Sequence, residues 1–169
     1  YGYVEGFLKG EDGIPILRAD TDGWTWTALI QEGLYQWTRM TFNSKSLEET
    51  FRPDIFKDLR PRGKSRSADV TWRMIKQLCG NGCFIIGDAA AVLDPASSHG
   101  VLRAIMSGIK ATDLIANVLS NVCEEEVAEI EYSRWFREWF SHDLKNLHQL
   151  YLKVGQNLWR SPDIVVASE

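Results

Sequence analysis

The stretch Gly87–Gly108, GDAAAVLDPASSHGVLRAIMSG, sets two carboxylates, a proline, two serines and a histidine between an apolar run and an amphipathic one. Asp88 is an acceptor suited to hydroxyl groups, and Ser97, Ser98 and His99 add side-chain donors and acceptors beside the backbone amide of Gly100. Asp94 followed by Pro95 stiffens the segment between them, because the ring fixes its own φ and restricts the preceding residue. The small residues Ala89, Ala90, Ala91 and Gly100 let a ligand come close to the backbone. If a helix starts at Gly100, its free N–H groups favour negative charge by about 0.3–1 kcal/mol per exposed interaction. The pattern suits a polar, hydroxyl-bearing or anionic ligand. The same residues also serve as ordinary caps, Asp88 for a turn and Ser97 or Ser98 for the helix. Spacing alone leaves binding and capping equally open.

The elements that must position these residues can be read from periodicity. Between Tyr1 and about Asn43, β-branched and aromatic residues alternate with polar ones between turn signals, including one at Gly10–Gly13, which predicts an antiparallel meander. Trp24–Ile30 and Leu34–Phe42, separated by Gln31, Glu32 and Gly33, predict a hairpin with a three-residue loop whose glycine is left-handed. Alternation puts Trp24, Trp26 and Ala28 on one face and Thr25, Thr27 and Leu29 on the other. Charges and prolines from Ser44 to Lys64 read as a linker with at most one short helix near Leu47–Phe56. A further strand ends near Ile75, CGNG makes a tight turn, and the all-apolar run Cys83–Ile86 predicts a strand buried on both faces of a sheet flanked by helices. That strand belongs to a different sheet from the meander. Asp88 then lies at the strand's carboxyl end, where ligands bind in open α/β sheets.

Two helices complete the chain. From Gly100, apolar residues at Val101, Leu102, Ile105, Ile109, Leu114, Ile115 and Leu119 come close to a helical stripe. A second helix over roughly Glu124–Leu158 repeats apolar positions at Val127, Ile130, Trp135, Phe136, Trp139, Phe140, Leu144, Leu147, Leu150, Tyr151, Val154 and Leu158. Its tryptophans read first as packing, with Trp135, Trp139 and His142 as an aromatic ligand wall the alternative. His142 and His148 do not share a face closely enough to ligate a metal, and read as surface or packing residues.

The bulk properties restrict the function classes. The 169 residues, 44% hydrophobic with net charge −4, suffice for a soluble globular domain. A pI near 5.4 with no Lys/Arg run gives no footprint for nucleic acid or a membrane surface. No apolar stretch reaches the ~18 residues of a spanning helix, and YGYVEGFLKG lacks the pattern of a signal peptide, so the cytoplasm is the expected location. Cys79, Cys83 and Cys123 form no CxxC pair and are read as reduced, mostly structural thiols, with no metal site expected.

GDAAAVLDPASSHGV resembles the second FAD-binding signature of the FAD-dependent monooxygenase and halogenase superfamily, in which GD is followed by a DP or PP turn and a glycine-led helix. GWTWTAL, Gly23–Leu29, is similar to the GWxWxIP segment of the tryptophan-halogenase branch, with Ala28 and Leu29 in place of Ile-Pro. The resemblance implies FAD as cofactor, with Gly87 opening the signature and Asp88 on the ribityl hydroxyls. It also implies Asp94 and Pro95 in the turn beneath the isoalloxazine, and Ser98, His99 and Gly100 along its pyrimidine edge. The helix beginning near Val101 would aim its dipole at N1 and the C2 carbonyl.

The fold so implied is α+β, a fragment of a two-domain flavoprotein. It combines antiparallel substrate-domain strands, one terminal strand and helix of the FAD-binding Rossmann-type domain, and a long C-terminal amphipathic helix. The expected divisions are 1–75 for substrate-domain sheet and linker, 76–123 for the flavin-contacting strand, loop and helix, and 124–169 for the helical region.

Two departures shape the function expected. Ser97 stands where tryptophan halogenases carry a catalytic Glu, which favours oxygenation of an aromatic substrate or aromatic side chain over halogenation. A GxGxxG loop after a first strand is missing, since GNGCFIIG has its third glycine too far away and precedes a strand. The expectation is therefore the C-terminal part of an FAD-dependent monooxygenase, with NAD(P)H or a flavin reductase as electron source. Its expected partners are an N-terminal FAD-binding half and, through uncovered apolar surface, further copies of itself. The isolated chain is expected to be inactive. No residue is assigned as a catalytic base; His99 is the best candidate, against a backbone-positioning or loop-packing role. A flavin-dependent halogenase, a non-catalytic domain that pairs with a separate FAD-binding chain, and a small α+β module whose signature is coincidental remain the alternatives.

Overall fold

The computed structural model describes residues 1–8, 13–42 and 50–153 together with the backbone of 165–167. The predicted turn at Gly10–Gly13 and the end of the second helix at Val154–Leu158 fall wholly or partly outside them. The chain is α+β and divides into two compact units, Tyr1–Asp69 and Val70–Glu169.

The first unit is the antiparallel meander. Strands β1 (Gly2–Glu5), β2 (Ile16–Asp20), β3 (Gly23–Gln31), β4 (Leu34–Thr41) and β5 (Arg60–Pro61) form one sheet in the order β2-β3-β4-β1-β5. The β3–β4 hairpin turns on Glu32 and Gly33 alone, with Gln31 opposite Leu34 and a bulge between Leu29 and Gln31. The three-residue loop read from sequence is thus a two-residue turn plus one extra strand residue, and Gly33 takes the left-handed φ of +69° expected of it. Between Leu47 and Phe56, the described part holds one 3-10 turn, Asp54–Phe56. Phe56 packs with Val4, Tyr35, Trp37 and Leu59 as the core of this unit.

The second unit supplies the loop of interest. Strand β6 (Arg73–Ile75) begins it, and β7 (Cys79–Gly80) and β8 (Cys83–Phe84) follow as a two-stranded hairpin turning at Asn81 and Gly82. Cys83 and Ile86 are exposed, and Phe84 and Ile85 only half-buried. The doubly buried strand expected at Cys83–Ile86 is therefore corrected to a hairpin arm: an all-apolar run shows that cover is wanted on both sides without showing that it is there. The hairpin and the meander do lie in different sheets, as their patterns required.

A single helical turn α1 (Gly87–Ala90) leads into β9 (Ala91–Val92), which pairs antiparallel with β6, while β10 (Val165–Ala167) pairs parallel with β6 on its other side. Helix α2 spans Gly100–Leu119, and α3 spans Glu125–Lys153.

Over the described residues both helices form where periodicity put them, α2 burying almost none of its apolar stripe and α3 burying Phe136, Phe140, Leu147 and Tyr151 of its own. In α2 the buried line is Arg103, Ser107, Ala111 and Leu114, while Val101, Ile105 and Ile109 are 76%, 55% and 58% exposed. Of the seven apolar positions of the stripe, Leu114 alone is buried. In α3 the buried residues Ala128, Tyr132, Phe136, Phe140, Asp143, Leu147 and Tyr151 recur every three or four positions, as one face of a helix should, whereas Val127 and Ile130 are exposed.

Candidate functional site

The chemistry-bearing loop is anchored at both ends. Gly87 takes a left-handed φ of +58°, and a side chain there would approach the Cβ of Ala104 to 3.1 Å. Its N–H donates to Ser107 Oγ at 3.0 Å, and that hydroxyl donates to the carbonyl of Ala104. Glycine therefore lets the chain turn sharply while docked on α2. The turn presents the next side chain outward: Asp88 is 74% exposed and lies 3.7 Å from Arg103 Nη2.

The second carboxylate faces inward. Asp94 is buried, accepts from the amide of Ala96 at 2.7 Å and so caps the 3-10 turn Pro95–Ser97, and receives the hydroxyl of Tyr151 at 2.5 Å. The indole of Trp72 also bonds it. Burial raises its pKa, and the bonds from Tyr151, Ala96 and Trp72 partly oppose that rise. Ser98 then adopts a left-handed φ of +55°, which reverses the chain into α2.

Neither serine caps α2. The residue at its N-cap is His99, with no side-chain cap bond, and Ser97 Oγ accepts only from the His99 amide at 3.3 Å. Capping by Ser97 or Ser98, one of the two readings open from sequence, is not what these residues do. The first amides of α2 are left for another acceptor.

His99 contacts a buried pair of charged residues, Asp143 and Arg103, that the sequence reading missed. Its Nδ1 lies 2.9 Å from Oδ1 of Asp143 on α3, whose side chain is fully buried. Arg103, buried on α2, brings Nη1 to 3.9 Å from Asp143 Oδ2. Helical arithmetic on α3 holds the signal that was available, because Asp143 falls on the line Phe136, Phe140, Leu147. Arg103 follows His99 by four positions, which brings both onto one side of the first turn of α2.

Of the site residues expected from sequence, Gly87, Asp88, Asp94, Pro95, Ser98, His99, Gly100 and Val101 all fall in this one segment. Asp88, Pro95, Ser98 and Val101 are exposed, His99 and Gly100 half-buried, and Gly87 and Asp94 buried. Trp135 and Trp139 are half-buried and pack edge-on against each other and, through Trp135, on Tyr132 and Phe136, as ordinary aromatic packing would have it. His142 is 68% exposed. Among the described residues no group of three His, Cys, Asp or Glu side chains is placed to hold a metal ion. Nor is any described helix long and apolar enough to cross a membrane.

A cavity of about 540 Å³ in the first unit includes none of these residues. Arg39 and Asp20, which line it, are paired with each other, and the Arg39 hydrogen bond holds the Asp20 carboxyl down at about 2.

No family model matches the chain, and no curated protein does. Solved structures do. The chain is similar to CmlS, a flavin-dependent halogenase, with a TM-score of 0.66 at 20% identity, over 84% of this chain and 29% of that one. It is similar to the peptidyl tryptophan dihydroxylase QhpG, essential for tryptophylquinone cofactor biogenesis, with a TM-score of 0.67 at 17% identity, over 96% of this chain and 43% of the other. The flavin-dependent brominase Bmp2 matches with a TM-score of 0.61 at 23% identity, over 80% of this chain and 39% of its own. The chain therefore has the fold of part of these flavin-dependent halogenases and of the dihydroxylase, and spans less than half of each.

Proposed function

We propose that this chain forms part of an FAD-dependent monooxygenase that oxygenates an aromatic small molecule or an aromatic side chain of a protein, and that the loop Gly87–Val101 is its flavin-contacting segment. One observation carries the reading: of two acidic residues six positions apart, Asp94 is locked inward by three hydrogen-bond partners while Asp88 stands exposed at the outer side of the turn. The residues fit the group. Asp88 offers acceptor oxygens to ribityl hydroxyls, and the uncapped amides at the start of α2 offer donors to the electron-rich edge of the ring.

FAD, when bound, supplies the redox chemistry with oxygen, with NAD(P)H or a flavin reductase as the source of electrons. The residues of this chain orient it: Asp94 fixes the turn, Gly87 sets Asp88, and Ser98 aims the start of α2. Hydroxylation is favoured over halogenation because Ser97, whose hydroxyl is occupied by the His99 amide, stands where a catalytic Glu is expected of a tryptophan halogenase. The exposed aliphatic face of α2 suits a covering N-terminal FAD-binding half.

Asp88→Ala tests the reading. Loss of a charge-assisted hydrogen bond, about 1.5–3 kcal/mol, corresponds to roughly ten- to hundred-fold weaker FAD binding by fluorescence titration of the full-length or reconstituted enzyme, with the melting temperature of the flavin-free chain unchanged. Unchanged flavin affinity with a lowered melting temperature would make Asp88 a structural residue and sink the assignment.

A further inference from the structure

We propose that Asp143 is the positioning residue that holds His99 as the tautomer protonated at Nδ1, so that Nε2 becomes the acceptor the loop presents to an N–H or O–H acid of an aromatic ligand. The geometry begins with the 2.9 Å contact between His99 Nδ1 and Asp143 Oδ1. A carboxylate only accepts, so the imidazole donates Nδ1–H to it, and a neutral ring that does so keeps its lone pair on Nε2.

The exposure of the two partners separates their roles. Asp143 is 0% exposed and the His99 side chain 40%, which makes the aspartate the support and the imidazole the presented group. Nε2 makes no hydrogen bond among the described residues and is not one of their buried unpartnered atoms, which leaves it open to a ligand.

The surroundings of Asp143 do not suit a mere clamp between loop and helix. Its Oδ2 has no hydrogen-bond partner among the described residues, and neither do Nε and Nη1 of Arg103, the guanidinium that faces it. Burying such a pair rarely gains stability over apolar packing of the same volume, whereas it does give the carboxylate a fixed countercharge and a single orientation. His142 does not compete for the role. Its Nδ1 is 3.8 Å from the same oxygen, beyond hydrogen-bond distance, and its ring contacts the Asn146 amide instead.

The ligand half of this proposal rests on the reading of the loop as a flavin-contacting segment, and the tautomer half does not. Long-range proton–nitrogen NMR of the 15N-histidine-labelled, flavin-free protein tests the latter, with the His99 signals assigned by their loss in His99→Gln. At a pH where the titration in the same spectra shows the ring neutral, the expected result is a protonated-type Nδ1 and an unprotonated-type Nε2. In Asp143→Asn the Arg103 guanidinium on the Oδ2 side draws the amide oxygen and leaves the NH2 to donate to Nδ1, which should reverse the pair. A wild-type ring protonated at Nε2, or the same tautomer in both proteins, overturns the proposal, and the wild-type spectrum decides even if the variant does not fold.

Addition of FAD to the chain reconstituted with its N-terminal FAD-binding half is then expected to shift His99 Nε2 and leave His142 in place. Bound FAD with an unmoved Nε2 overturns the ligand half. Absence of FAD binding counts against the loop reading, and with it the ligand half, while the tautomer result stands.

Discussion

The hydroxyl of Tyr151, near the end of α3, donates to the buried carboxylate of Asp94, 57 positions earlier in the sequence, and the Tyr151 ring stacks on Trp72 at a centroid distance of 6.3 Å. Through this bond the helix that closes the second unit holds the DP turn in place. Because the bond favours the ionised carboxylate while burial disfavours it, it governs how the unit responds to pH.

Asp94 has a folded pKa above its ordinary 3.8, so the native state retains a proton that the unfolded chain has released. Stability therefore falls as pH rises from about 3.8 through the folded value. Tyr151→Phe removes an opposing influence and raises the folded pKa further, which widens this window. The expected loss is about 1.5–3 kcal/mol near neutral pH and about 1 kcal/mol where Asp94 is protonated in both states. Urea denaturation at about pH 2.5, below the unfolded value, and at about pH 7 checks it, and an equal loss at both would remove Asp94 from the account.

Gly87→Ala forces a side chain into the left-handed region and against the Cβ of Ala104. The strain costs roughly 1–2 kcal/mol, a fall of several degrees in melting temperature for a chain of this size. Gly87→Asn, a residue that visits this region more readily, should lose less. Thermal denaturation followed by circular dichroism separates the three proteins, and an alanine variant as stable as the wild type would show that the turn relaxes.

The aliphatic face of α2 is expected to drive self-association. Replacing Ile105 and Ile109 by lysine should shift sedimentation toward monomer at a stability cost within about 0.5 kcal/mol each, since both are more than half exposed. A wild-type protein that is already monomeric at high concentration would contradict this.

These contrasts show what the sequence made legible. The alternation through Trp24–Thr27 and the helical spacing after Gly100 reflect local geometry, and those elements formed where they were read, whereas the helical turn α1 and the strand β9 inside Gly87–Gly100 were not read from spacing. Burial is not local. Which side of α2 faces inward depends on α1 and α3, which pack on it and take Arg103 and Ser107 rather than Val101 and Ile105. The run Cys83–Ile86 misled for the same reason, since covering a strand takes neighbours distant in sequence. Asp143 was missed because an acid within an amphipathic helix reads as solvent-facing until its register with Phe136, Phe140 and Leu147 is counted.

The sulfur of Cys79, buried beneath α3 and within 3.2 Å of both the Glu129 carbonyl and Ser133 Oγ, differs in kind from that of Cys83, which sits exposed on the paired strand. Oxidation begins at accessible sulfur, so Cys83 is the thiol that meets peroxide first and Cys79 is spared while α3 stays seated. In a protein proposed to work with oxygen, that ordering gives damage a sequence: a lesion at Cys83 leaves the packing beneath α3 untouched, and one at Cys79 records that the helix had already lifted.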